Sequence, residues 1–239
     1  MAHAYIYDAV RTPRGKARAD GGLARLKPQE LVAGLVDGLQ ARGQDARNVE
    51  ALVLGCVGQV GDQGANIALV SKLHAGVADD ACAFALNNYC VSGLTAIGQA
   101  ATQIAAGNLD RALAGGVEMM SRVPFLGDNA SYYTDASFPK RTRFVPVVLT
   151  ADRLAQAEDI SREQLDAVAL VSQQRAGAAE ANPVLTASRL ALGGLGSDEC
   201  ARPQSTAESL AAMPPSFAAL AVQYAAALEG PSDHRHTIG

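Results

Sequence analysis

Apolar residues fall in short unbroken runs that alternate with stretches in which they recur every three or four positions, the pattern of strands buried between helices. The run Ala4 to Val10, closed by Arg11-Thr-Pro13-Arg-Gly15, predicts a buried first strand that runs into a loop. Pro28 opens a helix that carries Leu31, Leu35 and Leu39 on one face and is ended by Gly43. Ala51 to Val57 is apolar throughout and bounded by a Gly-rich stretch, which predicts a strand buried on both faces. A helix over 66–73 follows, and Cys82 to Leu86 reads as a further short strand. Asn87 to Gly93 turns that strand into a helix with Leu94, Ile97, Ala101 and Ile104 on one face, and the small-residue run Arg111 to Gly116 predicts the next strand. From Ala4 to Gly116 the order is therefore β-α-β-α-β-α-β, a layered α/β sheet.

Beyond Pro124 the pattern changes. Residues 125–146 hold Phe125, Tyr132, Tyr133, Phe138 and Phe144 among Gly, Asp, Ser and Pro with no period, which predicts a long excursion outside the sheet. Ser161-Arg-Glu-Gln164 is a capping box that starts a helix from Arg162 to about Ala179. The expected division is a first domain over residues 1–121 and a mostly helical second one over 122–239.

Composition narrows the class. With 239 residues, 49% hydrophobic and 18% charged, the chain has the balance of a globular protein, and disorder is excluded. The longest nearly continuous apolar stretch, Phe217 to Leu228, is broken by Gln223 and is too short to span a membrane. No basic and apolar leader follows Met1, so the cytoplasm is the expected location. A net charge of −4 argues against a nucleic-acid partner. Cys56, Cys82, Cys90 and Cys200 form no C-x-x-C pair and lie at no zinc-finger spacing with His, so neither disulfides nor a metal site is expected.

The sharpest chemical feature is Cys90, set between a strand and the helix that follows it. Unpaired amides and a partial positive charge at a helix start stabilise a thiolate, which makes Cys90 a candidate nucleophile; the bland alternative is a small buried hydrophobe. Gly58, Gly61 and Gly64 follow a strand but lack the dinucleotide spacing and read as close packing. Lys140, Arg141 and Arg143, interleaved with Phe138 and Phe144, would suit phosphate groups, although a charge run is more often a solvated face.

The stretch Asn87-Asn-Tyr-Cys90-Val-Ser92-Gly93-Leu94 resembles the nucleophile motif of the thiolase family. Three more blocks resemble the same family in order: Arg11-Thr-Pro13 with Gly15, then Gly55-Cys-Val57-Gly-Gln59-Val-Gly61 with Gly64-Ala-Asn66, then Ala114-Gly-Gly-Val-Glu118-Met-Met120-Ser121-Arg-Val-Pro124. Thr150-Ala-Asp152, Ile160 to Glu163, Ser172-Gln-Gln-Arg175, Asp198-Glu199 and Arg202-Pro203 resemble the loop domain that covers coenzyme A in that family. The resemblance implies half of a thiolase-like αβα core, a mixed sheet with helices on both faces, plus the helical loop domain, with the C-terminal core domain absent. It implies that Cys90 carries the acyl group and that Arg202 and Ser209 contact the coenzyme A nucleotide, where the residues alone read as a solvated Arg and an ordinary helical Ser.

Departures from the pattern are as informative. Where many relatives have His-Met just before Thr-Ala-Glu, this sequence has Pro146-Val147 and then Val148-Leu149, Asp152 replaces the Glu, and the Gly-His-Pro and late Cys-x-Gly blocks are missing. The histidines are His3, His74, His234 and His236, none in that setting, and Cys56-Val-Gly58 closes a strand and reads as structural. The resemblance therefore implies an acyltransferase acting on an acyl-CoA substrate without metal, whose histidine and second cysteine come from a second chain carrying the other half or from a missing C-terminal half, in a homo- or hetero-oligomer. A non-catalytic thiolase-like subunit for assembly or acyl-CoA binding is the rival reading, and a simple cysteine hydrolase a lesser one.

Overall fold

The computed structural model describes residues 3–228; His234 and His236 lie outside the described residues. The chain divides into two units, Met1–Asp128 with Pro183–Cys200, and Asn129–Asn182 with Ala201–Gly239.

The first unit is built on β1 (Ala51–Gly55), the middle strand of a three-stranded parallel sheet whose order is β2-β1-β3, with β2 at Cys82–Leu86 and β3 at Ala112–Gly116. The pairing brings Ala51 opposite both Cys82 and Ala112. Every β1 residue is buried, and the two-residue period splits them between layers. Leu52 and Leu54 pack with Leu31 and Val32 of α1 (Pro28–Ala41) and with Ile67 and Ala68 of α2 (Ile67–Ala75), while Ala51 and Val53 pack with Ala96 of α3 (Ser92–Ala105). Helices thus cover both faces, as a parallel sheet requires. Pro28 stands at the first turn of α1, and α2 is capped by the Asn66 side chain and ended by left-handed Gly76.

Two expectations need correction. Residues 4–10 form no strand of the sheet, and Tyr5, Ile6 and Tyr7 are 71%, 79% and 85% exposed. An apolar run signals that a strand wants cover on both faces, not what supplies it, and among the described residues no strand pairs with this one. It is tied instead by Asp8, which accepts from the Arg42 guanidinium at 2.7 and 2.9 Å, and at its end by a bridge from Arg11 to Arg189. The second correction concerns α3, which turns Ser92, Ala96 and Ala100 inward and leaves Leu94 and Ile97 exposed. Close approach selects that face: a Cβ on Gly55 would lie 2.2 Å from the carbonyl carbon of Ser92. Leucine does not fit a contact of that kind.

The segment over 183–200, expected with the second domain, packs in the first unit. Gly34 and Gly38 leave a groove on α1 that takes Leu192 and Leu190, whose methyl carbons stand where added Cβ atoms would be, at 2.4 and 2.0 Å. Asp198 accepts two bonds from the Arg11 guanidinium, both 2.8 Å, and one from the Arg14 amide at 2.7 Å. Glu199 accepts from the Lys16 and Gly22 amides, each at 2.9 Å.

The second unit contains the predicted excursion from residue 129 on, which has two single 3-10 turns, Ser131–Tyr133 and Lys140–Thr142, and is held by aromatic contacts: Tyr132 meets Phe138 edge-on at 4.9 Å, and Phe144 meets Tyr133 at 4.6 Å and Tyr224 at 6.0 Å. Its helices are α4 (Val147–Ala157), α5 (Arg162–Glu180), α7 (Ala207–Ala211) and α8 (Ala218–Gln223), with the short α6 (Pro183–Thr186) belonging to the first unit. The Ser161 box forms as expected: its hydroxyl accepts from the Gln164 amide, and the Gln164 side chain accepts from the Ser161 amide. Arg162 fastens α5 to the α7 region by pairing with buried Asp166 and donating to the Leu210 and Met213 carbonyls.

Candidate functional site

In an open parallel sheet, ligands gather beyond the carboxyl ends of the strands. Here the three strand ends lead into the three blocks singled out above: residues 56–63 after β1, Asn87 to Val91 after β2, and Val117 to Met120 after β3. The site is therefore assembled by topology from segments far apart in sequence.

Cys90 is exposed and lies two positions before the first residue of α3. Its thiol has no hydrogen-bond partner among the described residues. The preceding residue, Tyr89, has φ +49°, a left-handed conformation that a bulky side chain adopts only when its surroundings impose it. Those surroundings are visible: the Tyr89 amide donates to Asn87 Oδ1 at 2.9 Å, and the Tyr89 carbonyl accepts from Ser92 Oγ at 2.6 Å. Ser92 Oγ in turn accepts from the Asn88 amide at 2.8 Å, and Asn88 Nδ2 donates to Thr95 Oγ1 at 2.9 Å. The helix that follows rests on the ends of the other strands through glycine, with Gly116 so placed that an added Cβ would lie 3.3 Å from Gly93 Cα.

Cys56 is fully buried, and burial pushes its thiol up to about 12, with nearby Glu118 adding to the effect. Such a thiol stays protonated and packs as a hydrophobe, in keeping with its structural reading. Glu118 had no role in the sequence reading beyond membership of a motif. Its carboxylate accepts from the Val57 amide at 2.7 Å, the Gly58 amide at 3.2 Å and Gln63 Nε2 at 2.7 Å. Gln63 is wholly buried, and nothing in its local sequence marks it.

The other candidates lie in the second unit. Arg202 is exposed, and its amide donates to Gln173 Oε1 at 2.6 Å. Ser209 is exposed on α7, where its hydroxyl accepts from the Thr206 amide at 2.9 Å and donates to the Thr206 carbonyl at 2.9 Å, completing a capping box. The Arg143 guanidinium is engaged inside its own loop, donating to the Phe138 and Ala136 carbonyls, whereas Lys140 and Arg141 are exposed. A shallow cleft of about 150 Å³ opens beside Tyr132, Arg143 and Tyr224. His74 is exposed on the last turn of α2, and because α2 runs from the carboxyl end of β1 back to the amino end of β2, it lies toward the end of the sheet opposite Cys90.

A layered α/β unit with this arrangement of strand ends has clear counterparts. The thiolase N-terminal domain model matches residues 4–227. A beta-ketoadipyl-CoA thiolase of Pseudomonas aeruginosa is 36% identical over 88% of this chain, and a 3-oxoadipyl-CoA/3-oxo-5,6-dehydrosuberyl-CoA thiolase of Escherichia coli is 33% identical over 98%. Among solved structures, human mitochondrial 3-ketoacyl-CoA thiolase in complex with CoA superposes with a TM-score of 0.74 at 28% identity, covering 88% of this chain and 57% of that one. The Bacillus anthracis acetyl-CoA acetyltransferase gives 0.76 at 27% identity, covering 91% and 59%. The chain belongs to the thiolase family. It spans 59% and 64% of the length of the two curated relatives.

Proposed function

We propose that this chain is the nucleophile-bearing part of an acyl-CoA acyltransferase of the thiolase type, with Cys90 as the residue that is acylated. The observation that carries the reading is the exposed Cys90 on a clamped, left-handed turn at the carboxyl end of the sheet, ahead of a helix seated there by glycine. In the degradative direction the Cys90 thiolate attacks the 3-keto carbonyl, the bond between C2 and C3 breaks, and the departing acetyl-CoA enolate takes up a proton. The thioester left on Sγ is then cleaved by the thiol of a second coenzyme A. In the condensing direction the enolate of an acyl-CoA attacks the same thioester.

A proton acceptor, a donor to the enolate and an oxyanion site are needed besides the thiol. His74, on the last turn of α2, lies toward the amino ends of the strands, away from the carboxyl ends that carry Cys90. We assign the histidine and second cysteine to polypeptide equivalent to the remaining length of the relatives, on the same or another chain. The unit of Asn129–Asn182 and Ala201–Gly239 is the part assigned to cover coenzyme A, in place of the simple division at residue 121, with Arg202 and Ser209 as its nucleotide contacts. The Ser209 hydroxyl would keep its capping bonds only if the ligand uses its remaining lone pair.

Site-resolved alkylation tests the nucleophile. Iodoacetamide should label Cys90 well ahead of Cys82 and Cys200, which are also exposed, and brief incubation with acetyl-CoA in the assembled enzyme should protect it by acylation. Equal labelling of the three would leave Cys90 an ordinary surface thiol. The rival reading, an assembly or acyl-CoA-binding subunit, draws on Asn88, Val147 and Asp152, which replace common family residues, and would be supported by a copurifying partner with a complete catalytic set of its own.

A further inference from the structure

We propose that Asn87 and Glu118 are positioning residues for Cys90, acting as one relay that ties the ends of all three strands to the turn that presents the thiol; the inference rests on the reading of Cys90 as nucleophile. The turn stands in a conformation that Tyr89 does not adopt on its own account, so something must hold it. One side of the Tyr89 peptide is held by Ser92 of the recognised motif, the other by Asn87 Oδ1.

Asn87 is itself anchored across strands, since its Nδ2 donates to the Val57 carbonyl at 3.3 Å. Val57 and Gly58 follow β1, and their amides are fixed by the Glu118 carboxylate, which follows β3. Buried Gln63 locks the carboxylate in place by donating to it and to the Gly58 carbonyl at 2.8 Å, while its own carbonyl accepts from the Met119 amide. The path therefore runs from Gln63 through Glu118, the Val57 peptide and Asn87 to Tyr89 and Cys90. Three donors converge on Glu118, an arrangement that a carboxylate satisfies and an amide does not, because the NH2 of a glutamine would face one of them. A thiol whose turn is loosened is no longer held in the geometry that attack requires, and its reactivity falls.

The test uses the full 239-residue chain with Asn87→Ala, Asn87→Asp and Glu118→Gln. Hydrogen exchange is read at residues 87–92 against β1, and iodoacetamide labelling at Cys90 against Cys200. Asn87→Ala and Glu118→Gln should accelerate exchange in the turn while leaving β1 protected, and should lower the Cys90 to Cys200 labelling ratio about tenfold, the scale of loss that small misplacements of reacting groups produce. Asn87→Asp, which keeps the acceptor for the Tyr89 amide but has no donor for the Val57 carbonyl, should lower the ratio as well, and full recovery in that variant would overturn the cross-strand relay. Unchanged labelling and exchange in both variants, or equal loosening of β1, would overturn the relay. Buried Cys56 becomes labelled in any variant that unfolds, and if Glu118→Gln does so, the two Asn87 variants carry the comparison. A parent chain in which Cys90 labels no faster than Cys200 defeats the nucleophile reading, and the exchange data then decide separately whether Asn87 and Glu118 hold the turn.

Discussion

Asp198 shows how a single carboxylate can secure a chain crossing. It receives both guanidinium nitrogens of Arg11 and the Arg14 amide, with Arg189 at 3.6 Å, just before the chain leaves the first unit at Cys200. The hydrogen bonds from Arg11, above all, hold its carboxyl down to about 2 from an ordinary 3.8. A folded value below the unfolded one gives stability that is complete above the unfolded value and is lost as pH falls through the folded one. Because the side chain remains 27% exposed, solvent screening reduces the contribution to about 1 kcal/mol. Asp198→Asn should accordingly lower the urea midpoint at pH 7, and its difference from the parent should shrink between pH 5 and pH 3. A difference that stays constant across that interval would assign the effect to shape rather than charge.

At the scale of elements, the seating of α3 on the sheet is set by the absence of a side chain at Gly55. An added methyl group would stand 2.2 Å from the carbonyl carbon of Ser92 and 2.5 Å from the Gly93 nitrogen, both backbone atoms that cannot swing aside. Gly55→Ala should destabilise the first unit by about 3 kcal/mol, at the upper end for overpacked cores, and should displace the turn that carries Cys90. Urea unfolding measures the first effect and Cys90 labelling the second; a variant as stable as the parent would show that α3 is not in close contact. The same contact explains what could be read from sequence. β1, α1 and α5 were legible because a continuous apolar run, Pro28 and the Ser161 box are local signals. The inward face of α3 was not, because Ala96 and Ala100 are selected by a glycine some forty positions away, while Leu94 and Ile97 make the more conspicuous stripe. Cys90 is marked as a candidate by its motif, a local signal. Gln63 and the work of Glu118 are not so marked, since their partners follow other strands.

At the scale of the whole molecule, the described residues leave apolar groups that a stable protein does not leave in water. Tyr5, Ile6 and Tyr7 are consecutive and exposed, the sheet has β2 and β3 as its two edges, and Leu94 is 71% exposed on α3. Burying three side chains like those of the N-terminal segment is worth roughly 6 kcal/mol at about 2 kcal/mol each. Association itself costs on the order of 4 to 15 kcal/mol, so this segment alone would not hold a partner. Leu94 at 71% and Ile97 at 39% exposure would add about 2 kcal/mol in the same event, so stable assembly also needs the open sheet edges to be paired. The 239-residue chain by itself should therefore sediment as oligomers or aggregates, and coexpression with polypeptide equivalent to the rest of its thiolase relatives should convert it to a defined complex in which Tyr5 and Tyr7 are protected from iodination. A monodisperse monomer with one cooperative unfolding transition would show that these surfaces are tolerated, and that the chain needs no further polypeptide to be stable.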